Sequence, residues 1–150
     1  MTERRLMSIW RTQAYPDVLN QMVRMTMVEH LGIEFLEVGD DYVKARMPVD
    51  HRTIQPFGLL HGGASVALAE TLGSVAANLC VDTETKMCVG LEINANHLRP
   101  VMNGFVYGVA RPVHVGDATQ VWEIRILNEQ DKLVCISRLT LAVLDRQAKR

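Results

Sequence analysis

The segment from His61 to Val81 restricts the fold of this chain more than any other, because small or apolar residues occupy almost every position in it. Arranged as a helix, its Ala, Val and Leu side chains leave no broad polar face. Such a helix needs other elements around most of its circumference to keep these side chains from water. The segment therefore predicts a long central helix with a sheet wrapped around it.

The remainder of the chain is predicted to consist mostly of strands. An amphipathic pattern that begins at Pro16 and stops at Gly32 indicates one helix before them, and residues 49–60 are predicted to form a long loop. Four strands follow the central helix with no helix between them, which favours an antiparallel sheet and the α+β class. The predicted strands cover residues 33–38, 42–47, 86–98, 105–113, 119–127 and 132–144.

Length and charge exclude several other classes of protein. The 150 residues are expected to form one domain, with residues 1–14 as an N-terminal extension. The net charge of −1, from 16 basic and 17 acidic residues, provides no field that would attract nucleic acid. No run of 18 apolar residues is present, so no membrane span is expected.

The cysteines and the lack of known motifs bear on location and cofactors. Cys80, Cys88 and Cys135 are odd in number and lack a metal-ligand spacing, which predicts buried, reduced thiols in a cytoplasmic protein. The sequence has no nucleotide-binding fingerprint either. No metal and no cofactor are therefore expected.

Glu70 is the only charged residue between His61 and Val81. Burial of a carboxylate without partners is costly, so such a residue has dedicated partners, a raised pKa or a cavity beside it. Glu70, Ser74 and Asn78 are spaced by four residues and form a narrow polar stripe along one side of the helix. The stripe predicts a lined pocket, although partial exposure of Glu70 or local hydrogen bonds would explain it equally well.

The start of the central helix carries His61, Gly62 and Gly63. The first N–H groups of a helix can bind a developing oxyanion, but a tight turn into a buried helix would use the same glycines. His61 would cap the helix, polarise a carbonyl or orient the loop, and Gln55 is either a hydrogen-bonding group near this end or a solvated residue. Gly62 and Glu70 lie about 12 Å apart along the helix. If both act on one carbon, they must come from two copies of the chain.

His97 and Arg99 stand where the first strand after the central helix is predicted to end. Together the two side chains could hold an anionic or polar ligand. An ordinary solvated strand end would carry the same residues, so both interpretations remain open at this point.

Three stretches of the sequence form a distinctive set: QPFGLLHGGAS over residues 55–65, AETLGS over 69–74 and GLEINANH over 90–97. Together they resemble the hotdog-fold acyl-CoA thioesterases, in particular the bacterial subgroup of the 1,4-dihydroxy-2-naphthoyl-CoA hydrolases and the enterobactin-pathway proofreading thioesterases. The resemblance extends over roughly residues 10–144. It implies a sheet curled around the central helix and hydrolysis of acyl-CoA with an aromatic, hydroxybenzoyl- or dihydroxynaphthoyl-type acyl group.

The resemblance also implies catalytic roles. Glu70 would be the catalytic carboxylate, acting as a nucleophile on the thioester or as a general base for water. The Gly62 N–H would polarise the carbonyl, with Gln55 and His61 assisting its alignment. Ser74 would position the carboxylate or the water. Neither a metal nor a cofactor is implied.

The same resemblance implies where the substrate binds and how the chains assemble. The active sites would be shared across a homodimer, and dimers would pair into tetramers. A flat acyl group would lie between the subunits, against Phe57, Leu60 and Leu72. The CoA moiety would contact Gly90, His97, Leu98, Arg99, His114, Val115 and Gly116.

Two other functions are weighed against the thioesterase. The first is a non-catalytic hotdog module that binds acyl-CoA, which would normally carry an added effector domain and would not need Glu70. The second is a hotdog hydratase acting on enoyl thioesters, which would be expected to use a paired Asp and His, and no such pair stands around Gly62. The thioesterase is therefore the favoured hypothesis.

Overall fold

The computed structural model describes residues 8–147, and its central feature is one long helix packed against one sheet. The elements follow the order α, α, β, β, α, β, β, β, β. The helices are α1 (Pro16–Met22), α2 (Met27–His30) and α3 (Gly62–Leu79). The strands are β1 (Glu34–Val38), β2 (Val43–Pro48), β3 (Lys86–His97), β4 (Phe105–Val115), β5 (Thr119–Leu127) and β6 (Leu133–Asp145).

All six strands form a single antiparallel sheet in the order β1-β2-β4-β5-β6-β3. Helix α3 contacts β2, β3, β4, β5 and β6, so it lies across most of the sheet. This arrangement confirms the α+β class and the central helix. Strands β1 and β3 end the order, and each leaves one edge unpaired within residues 8–147. The unpaired edge of β3 is 12 residues long.

Helix α3 is buried on one side only. Its largest buried side chains, Leu68 and Leu72, are inaccessible to solvent in the core. Glu70, Ser74 and Asn78, on the other side, are only half-buried. The expectation that the helix is covered on nearly all sides is therefore wrong for the single chain, because the sheet covers only one of its faces.

The N-terminal helical region also differs from the prediction of one helix between residues 16 and 31. The chain leaves the helix after Met22, and Met25 takes a left-handed conformation with φ of 59°. The Thr26 hydroxyl donates to Val23 O (2.5 Å) and accepts from the Val28 N–H (3.2 Å), which starts α2 separately. Hydrogen bonds of this kind compete with the helical ones, and they interrupt an apolar pattern that was regular in spacing.

The residues before α1 cover the far end of α3. The N–H groups of Arg11 and Thr12 donate to Leu79 O at 2.8 and 3.1 Å, which satisfies a carbonyl at the helix C-terminus. Trp10 stacks on the buried Trp122 with 6.1 Å between ring centroids. Ile9, Trp10 and Ala14 of the predicted extension therefore pack on the core, while residues 1–7 lie outside the described residues. The assignment of residues 1–150 to one domain stays a prediction.

Candidate active site

The N-terminus of α3 leaves one backbone N–H free. His61 is the N-cap, and its Nδ1 accepts from the Gly63 N–H at 2.8 Å. The N–H groups of Ala64 and Ser65 donate to His61 O at 2.9 and 3.2 Å. Among residues 8–147 the Gly62 N–H has no hydrogen-bond acceptor. The first turn therefore presents a single unpaired donor at the positive end of the helix dipole.

Gly62 lies directly against His97, at the end of β3. A Cβ atom at position 62 would be 2.9 Å from His97 Nε2 and 3.1 Å from its Cε1. Any larger residue would have to displace the imidazole. Because Gly62 has no side chain, the His97 imidazole can lie beside the free Gly62 N–H.

A groove of about 380 Å³ opens beside this space. Its lining includes the predicted site residues Gln55, Gly62, His97, Leu98 and Arg99. The Gln55 side-chain oxygen accepts from the Phe57 N–H, so the amide NH₂ is the part of Gln55 that is left to bind a ligand. Arg99 donates to Leu133 O at 2.9 Å. The structure therefore brings five predicted residues together around the free N–H.

Glu70 lies farther along the helix, against the exposed strand β3. A Cβ atom at Gly90 would be 2.4 Å from Glu70 Oε1, so a side chain at this position would require the carboxylate to move. Burial raises the pKa of the Glu70 carboxyl above its usual range, and the Ser74 hydroxyl one turn later lowers it in part. Glu70, Ser74 and Gly90 thus form a second group, in which a partly desolvated carboxylate lies close to one hydroxyl.

Asn78, the third residue of the polar stripe, has a structural contact instead. Its side chain accepts from the Cys88 N–H at 2.9 Å and donates to Cys88 O at 3.2 Å. These two hydrogen bonds join α3 to β3. The stripe therefore combines two candidate catalytic residues, Glu70 and Ser74, with Asn78, which holds β3 against the helix.

Other predicted substrate residues are not gathered at this place. His114 lies over Gly116, at the hairpin between β4 and β5. Val115 and Gly116 line a separate cavity of about 570 Å³ near the C-terminal end of α3. Phe57 is 88% exposed on the loop before α3, whereas Leu72 is fully buried. Leu72 therefore cannot contact an acyl group, and that expectation is wrong.

One polar groove residue was missed from the sequence. Ser65 lines the groove and is only 1% exposed. Its spacing from Gly62, three residues along the predicted helix, places it on the same face. This spacing was the only available signal, because a small polar residue in a helix is otherwise unremarkable in the sequence.

Over residues 8–147, no three His, Cys, Asp or Glu side chains lie close enough together to hold a metal ion. No helix in the same range is long and apolar enough to cross a membrane.

A long helix packed on an antiparallel sheet is the architecture of the hotdog-fold thioesterases. Residues 57–135 match the family described as the thioesterase superfamily. The chain belongs to this superfamily and is a thioester hydrolase.

Individual relatives support the same assignment. The chain is 54% identical to the 1,4-dihydroxy-2-naphthoyl-CoA hydrolase of Escherichia coli, over 91% of this chain and 99% of the relative. It is 53% identical to the proofreading thioesterase EntH of Cronobacter turicensis, over 91% and 98%. A solved thioesterase from Haemophilus influenzae superimposes with a TM-score of 0.89 at 54% identity, over 91% and 95%. These relatives are enzymes, which argues against the non-catalytic binding module.

Proposed function

We propose that this thioester hydrolase acts on aromatic acyl-CoA and releases the free acid and CoA. The single observation that carries the proposal is the free Gly62 N–H beside a groove, on a helix that also holds the partly buried Glu70. The printed name of the E. coli relative, a dihydroxynaphthoyl-CoA hydrolase, supports an aromatic acyl group. A cytoplasmic location also stays part of the proposal, supported by three buried free thiols.

The reaction follows from the two groups. The thioester carbonyl oxygen would accept from the Gly62 N–H and from the Gln55 amide, which stabilises the negative charge of a tetrahedral intermediate. Glu70 would either attack the carbonyl carbon, giving an anhydride that water hydrolyses, or remove a proton from the attacking water. On both routes the C–S bond breaks, CoA leaves as a thiolate and the acyl group becomes a carboxylate. Ser74 would hold the carboxylate or the water, and the capping role of His61 would keep Gly62 in place.

The CoA moiety is proposed to extend over the surface from this site. Arg99, at the groove, would approach the phosphates, and Gly90, His97 and Leu98 would border the pantetheine arm. The segment from His114 to Gly116 lies at the opposite end of α3. It would therefore serve a CoA molecule bound mainly by another subunit.

A shared site in a homodimer is supported by three observations. Helix α3 has a half-buried side, the neighbouring strand β3 has an unpaired edge, and Gly62 and Glu70 are about 12 Å apart along one helix. A second copy placed against these surfaces would bring its Gly62 towards Glu70 of the first. The pairing of dimers into tetramers is proposed from the family resemblance alone.

The substrate proposal is tested by steady-state release of CoA from benzoyl-, hydroxybenzoyl-, dihydroxynaphthoyl-, phenylacetyl- and straight-chain acyl-CoA. We expect at least one aromatic acyl-CoA to have a kcat/KM about 10-fold or more above the straight-chain substrates, because a shaped pocket discriminates by differences of this size. A straight-chain acyl-CoA as the best substrate would contradict the aromatic preference.

The shared site is tested by combining two inactive variants, Glu70→Gln and Gly62→Pro, in one assembly. With equal co-expression and random pairing, about a quarter of the sites would receive an intact Glu70 from one chain and an intact Gly62 from the other. Activity should therefore recover to about a quarter of the wild-type value. If each site belonged to one chain, the mixture would show only the sum of the two residual activities.

A further inference from the structure

Ser65 carries a hydroxyl group that has no hydrogen-bond partner in the part of the chain that the structure describes. The residue is 1% exposed, and its N–H is already bonded to His61 O. Within residues 8–147 its hydroxyl makes no hydrogen bond, although the hydroxyl of Thr71 on the same helix donates to Ala67 O at 2.7 Å. A buried polar group without a partner is unfavourable and calls for an explanation.

The Ser65 hydroxyl is open towards the groove. No side-chain oxygen or nitrogen among the described residues is both fully inaccessible and unpaired. Since the Ser65 hydroxyl is unpaired and the residue lines the groove, the remaining access of this hydroxyl is through the groove. The Ser65 hydroxyl can therefore form a hydrogen bond with a molecule bound in the groove.

The walls around Ser65 are mainly apolar. Leu59, Leu60, Leu98 and Val134 line the groove beside it. Gly62 precedes Ser65 by three residues, or about 4.5 Å along the helix axis. A thioester whose carbonyl oxygen is held by the Gly62 N–H would thus reach Ser65 with an atom only a few bonds from the carbonyl carbon.

We infer that Ser65 is a specificity-determining residue that hydrogen-bonds a hydroxyl group on the aromatic acyl moiety. The inference rests on the proposed aromatic acyl-CoA hydrolysis and deepens it. A flat ring fits against the leucine and valine side chains, and one hydroxyl group on the ring forms a hydrogen bond with the Ser65 hydroxyl. A pantetheine amide would bring both a donor and an acceptor to the same place, and one of the two would face the apolar walls.

This contact selects between substrates. A ring hydroxyl pairs with Ser65, whereas an unsubstituted ring displaces water from the groove and leaves the Ser65 hydroxyl without a partner. Sites that offer a buried polar partner discriminate strongly against analogues that lack the matching group. The wild-type protein should accordingly prefer at least one hydroxybenzoyl isomer to benzoyl.

The experiment compares wild type and Ser65→Ala in kcat/KM for benzoyl-CoA and for the ortho, meta and para isomers of hydroxybenzoyl-CoA. We expect the preference for the best hydroxylated isomer over benzoyl to fall about 10-fold in Ser65→Ala, the effect of losing one hydrogen bond. The value for benzoyl-CoA should change by less than about 3-fold, because that substrate never pairs with Ser65.

Ser137→Ala is the matched control, since it removes another buried hydroxyl, which lies in β6 and contacts Ile124 O. It should leave the preference unchanged. An unaltered preference in Ser65→Ala would overturn the inference, and so would an equal loss for all four substrates, which would indicate a contact with CoA instead. Failure of the proposed function is distinct, because the wild-type protein would then hydrolyse none of the aromatic thioesters.

Discussion

Replacement of Glu70 by Gln should lower kcat for the best acyl-CoA by about 10³-fold or more, which corresponds to about 4 kcal/mol in the activation barrier. The amide has nearly the shape of the carboxylate and should fit against Gly90, but it can neither attack the thioester nor accept a proton from water. Steady-state release of CoA at saturating substrate measures the effect. A variant that keeps more than a tenth of the wild-type kcat would contradict a catalytic role for Glu70.

Stability separates this loss from unfolding. Because burial raises the pKa of Glu70, the folded state binds its proton more tightly than the unfolded state does. At pH values above that pKa the ionised carboxylate therefore costs stability, and Glu70→Gln should melt at the same temperature as wild type or higher. Glu123→Gln is a suitable control: it alters another partly exposed carboxylate, which pairs with Arg125 on β5, and should change kcat by less than about 2-fold.

The pH profile of the wild-type protein provides a second readout for the same carboxylate. If Glu70 must be ionised to react, kcat/KM, which reports the free enzyme, should fall as the pH drops through its pKa. The raised pKa predicts that this fall occurs above the pH range of an ordinary Glu. An acid limb within or below the usual range would indicate that another group controls the reaction.

Much of the fold could be predicted from two kinds of pattern, the apolar run of the central helix and the strand-like segments bounded by turn residues. The apolar run identified α3 to within two residues at each end, and the segment from Thr119 to Leu127 was predicted with the bounds it has. These elements are long and strongly patterned, so burial dictates them. The helix predicted from residue 16 failed because hydrogen bonds of the Thr26 side chain, which an apolar spacing does not report, divide it.

The placement of the site along β3 could not be predicted from the sequence, because it depends on a bulge. Gly90 and His97 are seven residues apart, so a regular strand would direct them to opposite faces. The pairing of β3 with β6 shifts between Gly90 and Glu92, which inserts Leu91 as an extra residue. Gly90 and His97 therefore both face α3, one against Glu70 and the other against Gly62. A change of register of this kind leaves no clear trace in hydrophobic alternation.

The sequence likewise could not predict which N–H group at the start of α3 is free. The sequence allowed three roles for His61, and only the structure shows that its ring accepts from the Gly63 N–H and leaves the Gly62 N–H free. The glycine pair was ambiguous for the same reason. Which donor is free depends on the rotamer of a neighbouring side chain.

The free N–H can be removed without breaking a helical hydrogen bond, because position 62 is the first residue of the helix. Proline is favoured there, and it requires an extended residue before it. His61 already has φ of −69° and ψ of 130°, and the Gly62 N–H has no partner within the described residues to lose. Gly62→Pro should therefore fold, with a melting temperature close to that of wild type.

Its catalytic effect should be large. Loss of one donor to a developing oxyanion lowers kcat by about 10²- to 10³-fold in sites of this kind. Gly62→Ala is the matched control, because its Cβ meets His97 as closely as that of proline while its N–H remains. If Gly62→Pro is slower than Gly62→Ala by about 10²-fold or more, the substrate carbonyl lies against the nitrogen of residue 62, where proline both removes the donor and places its Cδ. Equal losses in the two variants would instead assign the effect to displacement of His97, and the proposed role of the helix N-terminus would be wrong.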